Sequence, residues 1–224
     1  MGDYLTWKKT VLECTHRLTH RGALVGSGGN VSHRIHGEDK IAITPSGKDY
    51  LTMKPNEICI VNCNGELIEG DLRPSVETGM HLAVYKNRAD VNAIVHTHQV
   101  YASIFAVLNI SIPALFDEQV LHLGSEVAMI PYAISGSADL ANHVASKLDN
   151  KCNAYILQNH GALVLGISID NAERNTALLE KTATVYYHAL ASGKPISTLP
   201  ESSISAFMGI LSASQQAKTS ELKE

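Results

Sequence analysis

The chain has 224 residues, 45% of them apolar and 18% charged, with a net charge of −4 and four cysteines. That composition excludes a disordered polypeptide, gives no basic footprint for nucleic acid, and contains no apolar run long enough to span a bilayer. No basic-then-apolar leader opens the chain, and the cysteines lack CxxC spacing, so a cytoplasmic protein with reduced thiols is expected.

In chain order, Trp7, Val11, Cys14 and Leu18 share one helical face, and Gly22 is placed to end that helix. Val31 to Ile35 and Lys40 to Thr44 read as strands around Gly37-Glu38-Asp39. Ile58 to Val61 and Glu66 to Ile68 flank Asn64-Gly65, a strong hairpin signal. Pro74-Ser75 should open a helix toward Arg88, with Ser75 as N-cap. Val91 to Val95 follows an Arg-Ala-Asp break and reads as a buried strand, leading into a helix over Tyr101 to Leu108. Ala128 to Tyr132 is a strand and Ser137 to Leu148 a helix. Ala154 to Leu157 and Ala162 to Leu165 are strands, and Asp170 should cap a long helix through Tyr187 that Gly193 and Pro195 stop. After Pro200 an Ile204, Phe207, Met208, Leu211 stripe suggests a packing helix. Hairpins mixed with helices argue an α/β sheet with antiparallel pairing.

His96 and His98 stand at the end of the central strand. Positions two apart on a strand project from one face, so the two imidazoles can aim at one point, as metal ligands must. Two surface histidines at a strand end would leave the same pattern. His160, in Gln158-Asn159-His160-Gly161 between two apolar strands, is a third candidate, projecting from a turn at a sheet end. Three histidines with an open fourth position describe a catalytic metal site. His16, His20, His33, His36, His81, His122, His143 and His188 form no such pattern and are read as surface or core residues.

Glu77 lies early in the helix opened by Ser75. It can complement the helix dipole, or stand as a carboxylate near the metal that ligates it and carries a proton. SGGNVS (Ser27 to Ser32), ITPSGKDY (Ile41 to Tyr50) and the Pro74-Ser75 helix start offer N–H groups, hydroxyls and an amide suited to an anion. Each alone is merely a turn.

GGNVS, ITPSG, RPSVE, HTH and QNHG, in that order and at these separations, resemble the class II aldolase and adducin family, over about residues 5 to 195. Its sugar-phosphate aldolases, those acting on L-fuculose 1-phosphate above all, are the nearest likeness. The resemblance implies a single three-layer α/β/α domain across 1–224 with a largely antiparallel sheet. Its core would be about 5–195, followed by a tail over 196–224. It also implies a homotetramer with sites at subunit interfaces, while charge and composition point to neither nucleic acid nor membrane as partner. By that likeness His96, His98 and His160 bind zinc, or another divalent ion such as Mn2+ or Co2+. Glu77 is the catalytic carboxylate and a ligand of the resting metal. Gly29, Asn30, Ser46, Gly47 and Ser75 hold a phosphate.

The implied reaction cleaves a ketose 1-phosphate to dihydroxyacetone phosphate and an aldehyde, with the cation stabilising an enediolate. Two departures bear on the substrate. Val76 stands where fuculose-phosphate aldolases have a second serine. Asp117 and Glu118 stand where that group uses a neighbouring subunit's tyrosine as proton donor, a role a carboxyl can fill only if its pKa is raised. A 5-deoxy- or methylthio-pentulose phosphate is a further expected substrate. The same scaffold serves dehydratases, decarboxylases and 4-epimerases, the last carrying an aspartate in place of Glu77. A non-catalytic adducin-like module ranks last, since it would be expected to lose the three histidines.

Overall fold

Alternation of apolar and polar residues builds the first hairpin where it is expected. β1 (Asn30–Ile35) and β2 (Lys40–Ile43) pair antiparallel across a turn in which Gly37 takes a φ of 75°. The computed structural model describes residues 4–221. Ahead of the hairpin runs α1 (Leu5–His20). Behind it lie β3 (Cys59–Asn62) and β4 (Leu67–Glu69), joined by the Asn64-Gly65 turn, and then α2 (Thr78–Asn87). β5 (Ala93–Thr97) leads into α3 (Val100–Leu108), followed by the short β6 (Ile112–Pro113) and α4 (Asp117–Leu123). β7 (Glu126–Ile130), α5 (Ala138–Ala145), β8 (Ala154–Leu157), β9 (Gly161–Gly166), α6 (Ile169–Ala191) and α7 (Glu201–Glu221) complete the chain.

Among the described residues the strands form one nine-stranded sheet, ordered β4-β3-β2-β1-β5-β9-β8-β7-β6. Every pairing is antiparallel except β7 with β8. Side chains alternate across it and divide the core in two. Val31, Val95, Ile156 and Val164 meet Leu18, Phe105 and Leu179 from α1, α3 and α6. Ile94, Tyr155, Leu163 and Leu165 meet Val84 and Val144 from α2 and α5 on the other face. The result is three layers, with the central strands β1, β5, β9 and β8 buried on both faces. α7 lies against α4, and Leu211 from its apolar stripe is buried.

Several boundaries differ from the expected ones. α2 begins at Thr78, with Glu77 rather than Ser75 in the N-cap position. Ser75 instead makes a turn just ahead: its hydroxyl accepts the Glu77 N–H at 3.2 Å and its carbonyl the Thr78 N–H at 3.1 Å. The cap of α6 is Ser168, whose hydroxyl accepts from Asn171, and Asp170 lies inside the first turn. β6 and α4 went unanticipated because two and seven residues are too few to show a period. The cysteines are free thiols; Cys14, Cys59 and Cys152 are buried and Cys63 is exposed. Among the described residues no helix is long and apolar enough to cross a membrane.

Candidate metal centre

The β5 backbone sets the first ring. His96 pairs with Asn30 on β1 and Leu163 on β9, fully buried, and its Nδ1 lies 2.9 Å from the Ala162 carbonyl. Since only a protonated nitrogen can bond that carbonyl, Nδ1 carries the hydrogen and Nε2 presents its lone pair. The strand ends at Thr97, yet His98 stays on the same side, its Nε2 3.0 Å from that of His96. His160 arrives from the β8–β9 turn, after Asn159 in the left-handed region (φ 53°). Its ring centroid lies 4.6 Å from that of His96 and 5.3 Å from that of His98. One nitrogen from each ring falls within 4.8 Å of the others.

Glu77, at the start of α2, closes the cluster. Its Oε2 sits 3.2 Å from His96 Nε2 and its Oε1 3.2 Å from His160 Nε2. Asn30 Nδ2 donates to Oε2 at 2.7 Å, and Ser135 Oγ donates to Oε1 at 2.8 Å. Burial pushes the His96 imidazole down to about 4 and also lowers His98, so both rings are neutral, as ligands need to be. Burial alone would raise the Glu77 carboxyl. Attraction from His96 and His160 whenever either ring is protonated, and the hydrogen bonds from Asn30 and Ser135, outweigh it and hold the group below the ordinary carboxylate range. A lone pair aimed at a carboxylate oxygen is repulsive unless a cation lies between them. Three imidazoles and one carboxylate, converging in this way, fit a divalent metal ion.

Glycines make the convergence possible. A Cβ on Gly161 would lie 2.7 Å from His98 Cδ2 and against the Thr97 carbonyl, and one on Gly29 would strike the His96 carbonyl. One on Gly28 would crowd His98 Nδ1 at 3.2 Å. Gly161→Ala is therefore expected to displace His98, weakening metal binding by about tenfold if overpacking costs on the order of 1–3 kcal/mol. Titration against a chelating dye reads that affinity.

The segments expected to hold an anion gather beside Glu77. Pro45 bridges Pro74, Ser46 N–H donates to the Arg73 carbonyl, and Ser75 N–H donates to that of Thr44. Tyr50 ties the glycine loop to this pair of segments, its hydroxyl donating to the Gly29 carbonyl and its N–H to that of Gly26. Ser46 and Gly47 are exposed, whereas Ser75 and Asn30 are buried. The Ser75 hydroxyl accepts from Glu77 and keeps its own proton to donate. The Asn30 amide N–H is committed to Glu77, a bond the sequence did not foretell.

Asp117 and Glu118 open α4, and neither makes a hydrogen bond or ion pair with the cluster among the described residues. Glu118 is exposed and bonds Lys181 at 2.7 Å, which lowers its pKa, opposite to what a proton donor requires. One residue bonded to the cluster escaped notice. Ser135 lies in a loop whose sequence gives no hint of a partner 58 positions away. His81, read as a surface or core residue, is a core one. One helical turn beyond Glu77, it is fully buried, bonded through Nδ1 to Ser32 Oγ at 2.7 Å, and pushed by burial down to about 3.

Residues 9–187 match the family described as Class II Aldolase and Adducin N-terminal domain. The chain is 35% identical over 185 residues to a 5-deoxy-D-ribulose 1-phosphate aldolase of Bacillus thuringiensis, covering 83% of this chain and 85% of the relative. It is 37% identical over 176 residues to an L-fuculose phosphate aldolase of Methanococcus maripaludis, covering 79% and 93%. A solved L-fuculose 1-phosphate aldolase superposes with a TM-score of 0.87 at 30% identity, covering 93% and 96% of the two chains. On this likeness in sequence and in fold, the chain belongs to the class II aldolase and adducin family, among its lyases.

Proposed function

We propose that this chain is a zinc-dependent aldolase that cleaves a ketose 1-phosphate into dihydroxyacetone phosphate and an aldehyde. The observation that carries the reading is the clustering of His96, His98 and His160, with Glu77 set against two of the three rings. The substrate is fuculose 1-phosphate or a 5-deoxypentulose phosphate, in keeping with the activities named for its relatives, or else a methylthio-pentulose phosphate. Zn2+ suits the three imidazoles; Mn2+ or Co2+ could replace it.

His96, His98 and His160 would hold the cation, with Glu77 as a fourth ligand at rest. When bound, it supplies Lewis-acid stabilisation of the negative charge left by a broken C3–C4 bond, worth several kcal/mol. Glu77, ionised and held on both oxygens, carries the proton to and from the carbon next to the carbonyl. Gly29, Ser46, Gly47 and Ser75 receive the phosphate through N–H and hydroxyl donors, with Asn30 bridging that pocket to Glu77. In cleavage the C4 hydroxyl must give up its proton as the aldehyde forms, and Asp117 and Glu118 are the candidate groups to take it and to return it to the aldehyde oxygen in the reverse direction; Glu118 would first have to leave Lys181.

A homotetramer fits the surface, and free thiols suit the cytoplasm. α3 is apolar almost all round, yet Val100 and Val107 are each 69% exposed in the single chain. Such a helix is ordinarily covered, here by another copy. His98 is likewise exposed, which suits a site completed at an interface.

The test is a panel of ketose 1-phosphates with release of dihydroxyacetone phosphate followed. Activity should vanish with a chelator, return with Zn2+, and survive borohydride, because no lysine Schiff base is involved. Metal-dependent turnover that yields no triose phosphate would move the chain to the dehydratases or decarboxylases of the family.

A further inference from the structure

The loop from Pro131 to Ser137 joins β7 to α5 and is fastened at three points. At its start, Tyr132 N–H donates to Gln158 Oε1 at 3.0 Å, tying it to the turn that carries His160. At its end, Ser137 caps α5 through Leu140 N–H at 3.2 Å and closes a tight turn on the Ile134 carbonyl at 3.0 Å. Between them Gly136, with a φ of 76°, presses so closely on Val76 that a Cβ there would lie 2.8 Å from its carbonyl oxygen. The loop thus spans the His160 turn and the residue preceding Glu77, and Ser135 is delivered to the Glu77 carboxylate.

The geometry points to Ser135 as a positioning residue that sets which way the Glu77 carboxylate faces, toward the metal or toward the substrate carbon. Each carboxylate oxygen has one fixed donor and one imidazole opposite it. Asn30 and His96 share Oε2; Ser135 and His160 share Oε1. With both donors in place the carboxylate cannot turn about its long axis without breaking a bond to a charged acceptor. Without Ser135 it keeps one tether, on Oε2, and Oε1 is free to swing onto the cation. Ser135 differs in kind from Asn30, because Asn30 belongs to the central sheet whereas Ser135 rides on a surface loop. A substitution at 135 can therefore alter Glu77 while the core is left intact.

The proposal rests on the metal-aldolase reading for its kinetic arm, and on the metal centre alone for its spectroscopic arm. Ser135→Ala should lower kcat by about tenfold, the loss of one hydrogen bond to a charged group, while KM stays within about twofold. Ser135→Thr, which keeps the hydroxyl, should recover most of kcat. In protein loaded with Co2+ and no substrate, Ser135→Ala should change the visible absorption spectrum, because the donors around the cobalt rearrange; Ser135→Thr should restore it. A cobalt spectrum for Ser135→Ala superimposable on the wild type, with kcat unchanged or with kcat and KM altered together, would overturn the proposal. If the wild-type protein releases no dihydroxyacetone phosphate, the aldolase reading fails, and the cobalt spectra still decide the role of Ser135.

Discussion

Replacing Glu77 with glutamine should abolish nearly all turnover while the protein stays folded and keeps its metal. General acid–base catalysis contributes on the order of 10² to 10⁴ in rate, and glutamine retains the shape of glutamate but can neither take nor give the proton. The surroundings tolerate the change. Asn30 Nδ2 now donates to Oε2, and its own Oδ1 is buried without a partner. A flip of the Asn30 amide would let that oxygen accept from the new amide group, so no buried donor is left facing another. Three imidazoles remain for the cation, whose content can be counted by atomic emission. The expected result is near-equal metal content, a similar melting temperature, and triose phosphate release down by at least about a hundredfold. Turnover close to wild type would remove Glu77 from the chemistry.

How the site could be read in advance follows from which of its contacts are periodic. His96 and His98 are two apart at a strand end, and the period of two in a strand places them on one side; the structure has His96 inside β5 and His98 one step beyond it. His160 is fixed by the left-handed turn at Asn159 and by Gly161, both visible in the QNHG string. The hairpins were legible for the same reason, since alternation and turn residues are local. Ser135, the His81 bond to Ser32 and the Asn30 bond to Glu77 were not. Each joins segments that no spacing relates, and a serine in PYAISGS looks like any other loop serine. The helix start was misplaced because Pro74-Ser75 carries the usual signs of a cap; the backbone turns there and becomes helical only at Thr78, which leaves Glu77 at the helix mouth.

The Arg-Ala-Asp break before β5 hides the largest stability effect we expect. Arg88 has no exposed surface, and Asp90 is only 6% exposed. The guanidinium meets the carboxylate in a fork, Nε to Oδ1 at 2.9 Å and one Nη to Oδ2 at 2.8 Å. The other Nη donates to the Cys152 carbonyl at 2.8 Å, and the first also reaches Asn153 Oδ1 at 2.9 Å. Gln215 of α7 donates to that same oxygen at 3.2 Å, so the end of α2, the entry to β8 and the last helix share one knot. Arg88→Ala should destabilise the protein by about 3–5 kcal/mol, because the buried Asp90 charge is left without its partner, while the Cys152 and Asn153 oxygens each lose one donor and keep Tyr155 and Gln215. Removing both charges in Arg88→Met with Asp90→Ala should cost clearly less than Arg88→Ala alone, since an apolar replacement leaves no lone buried ion. Urea unfolding of the single and double variants measures the difference. If the double variant proves as unstable as the sum of its two single changes, the pair is uncoupled and the penalty lies in lost packing around the arginine stem. The buried charge would then have no part in holding α2, and with it Glu77, in place.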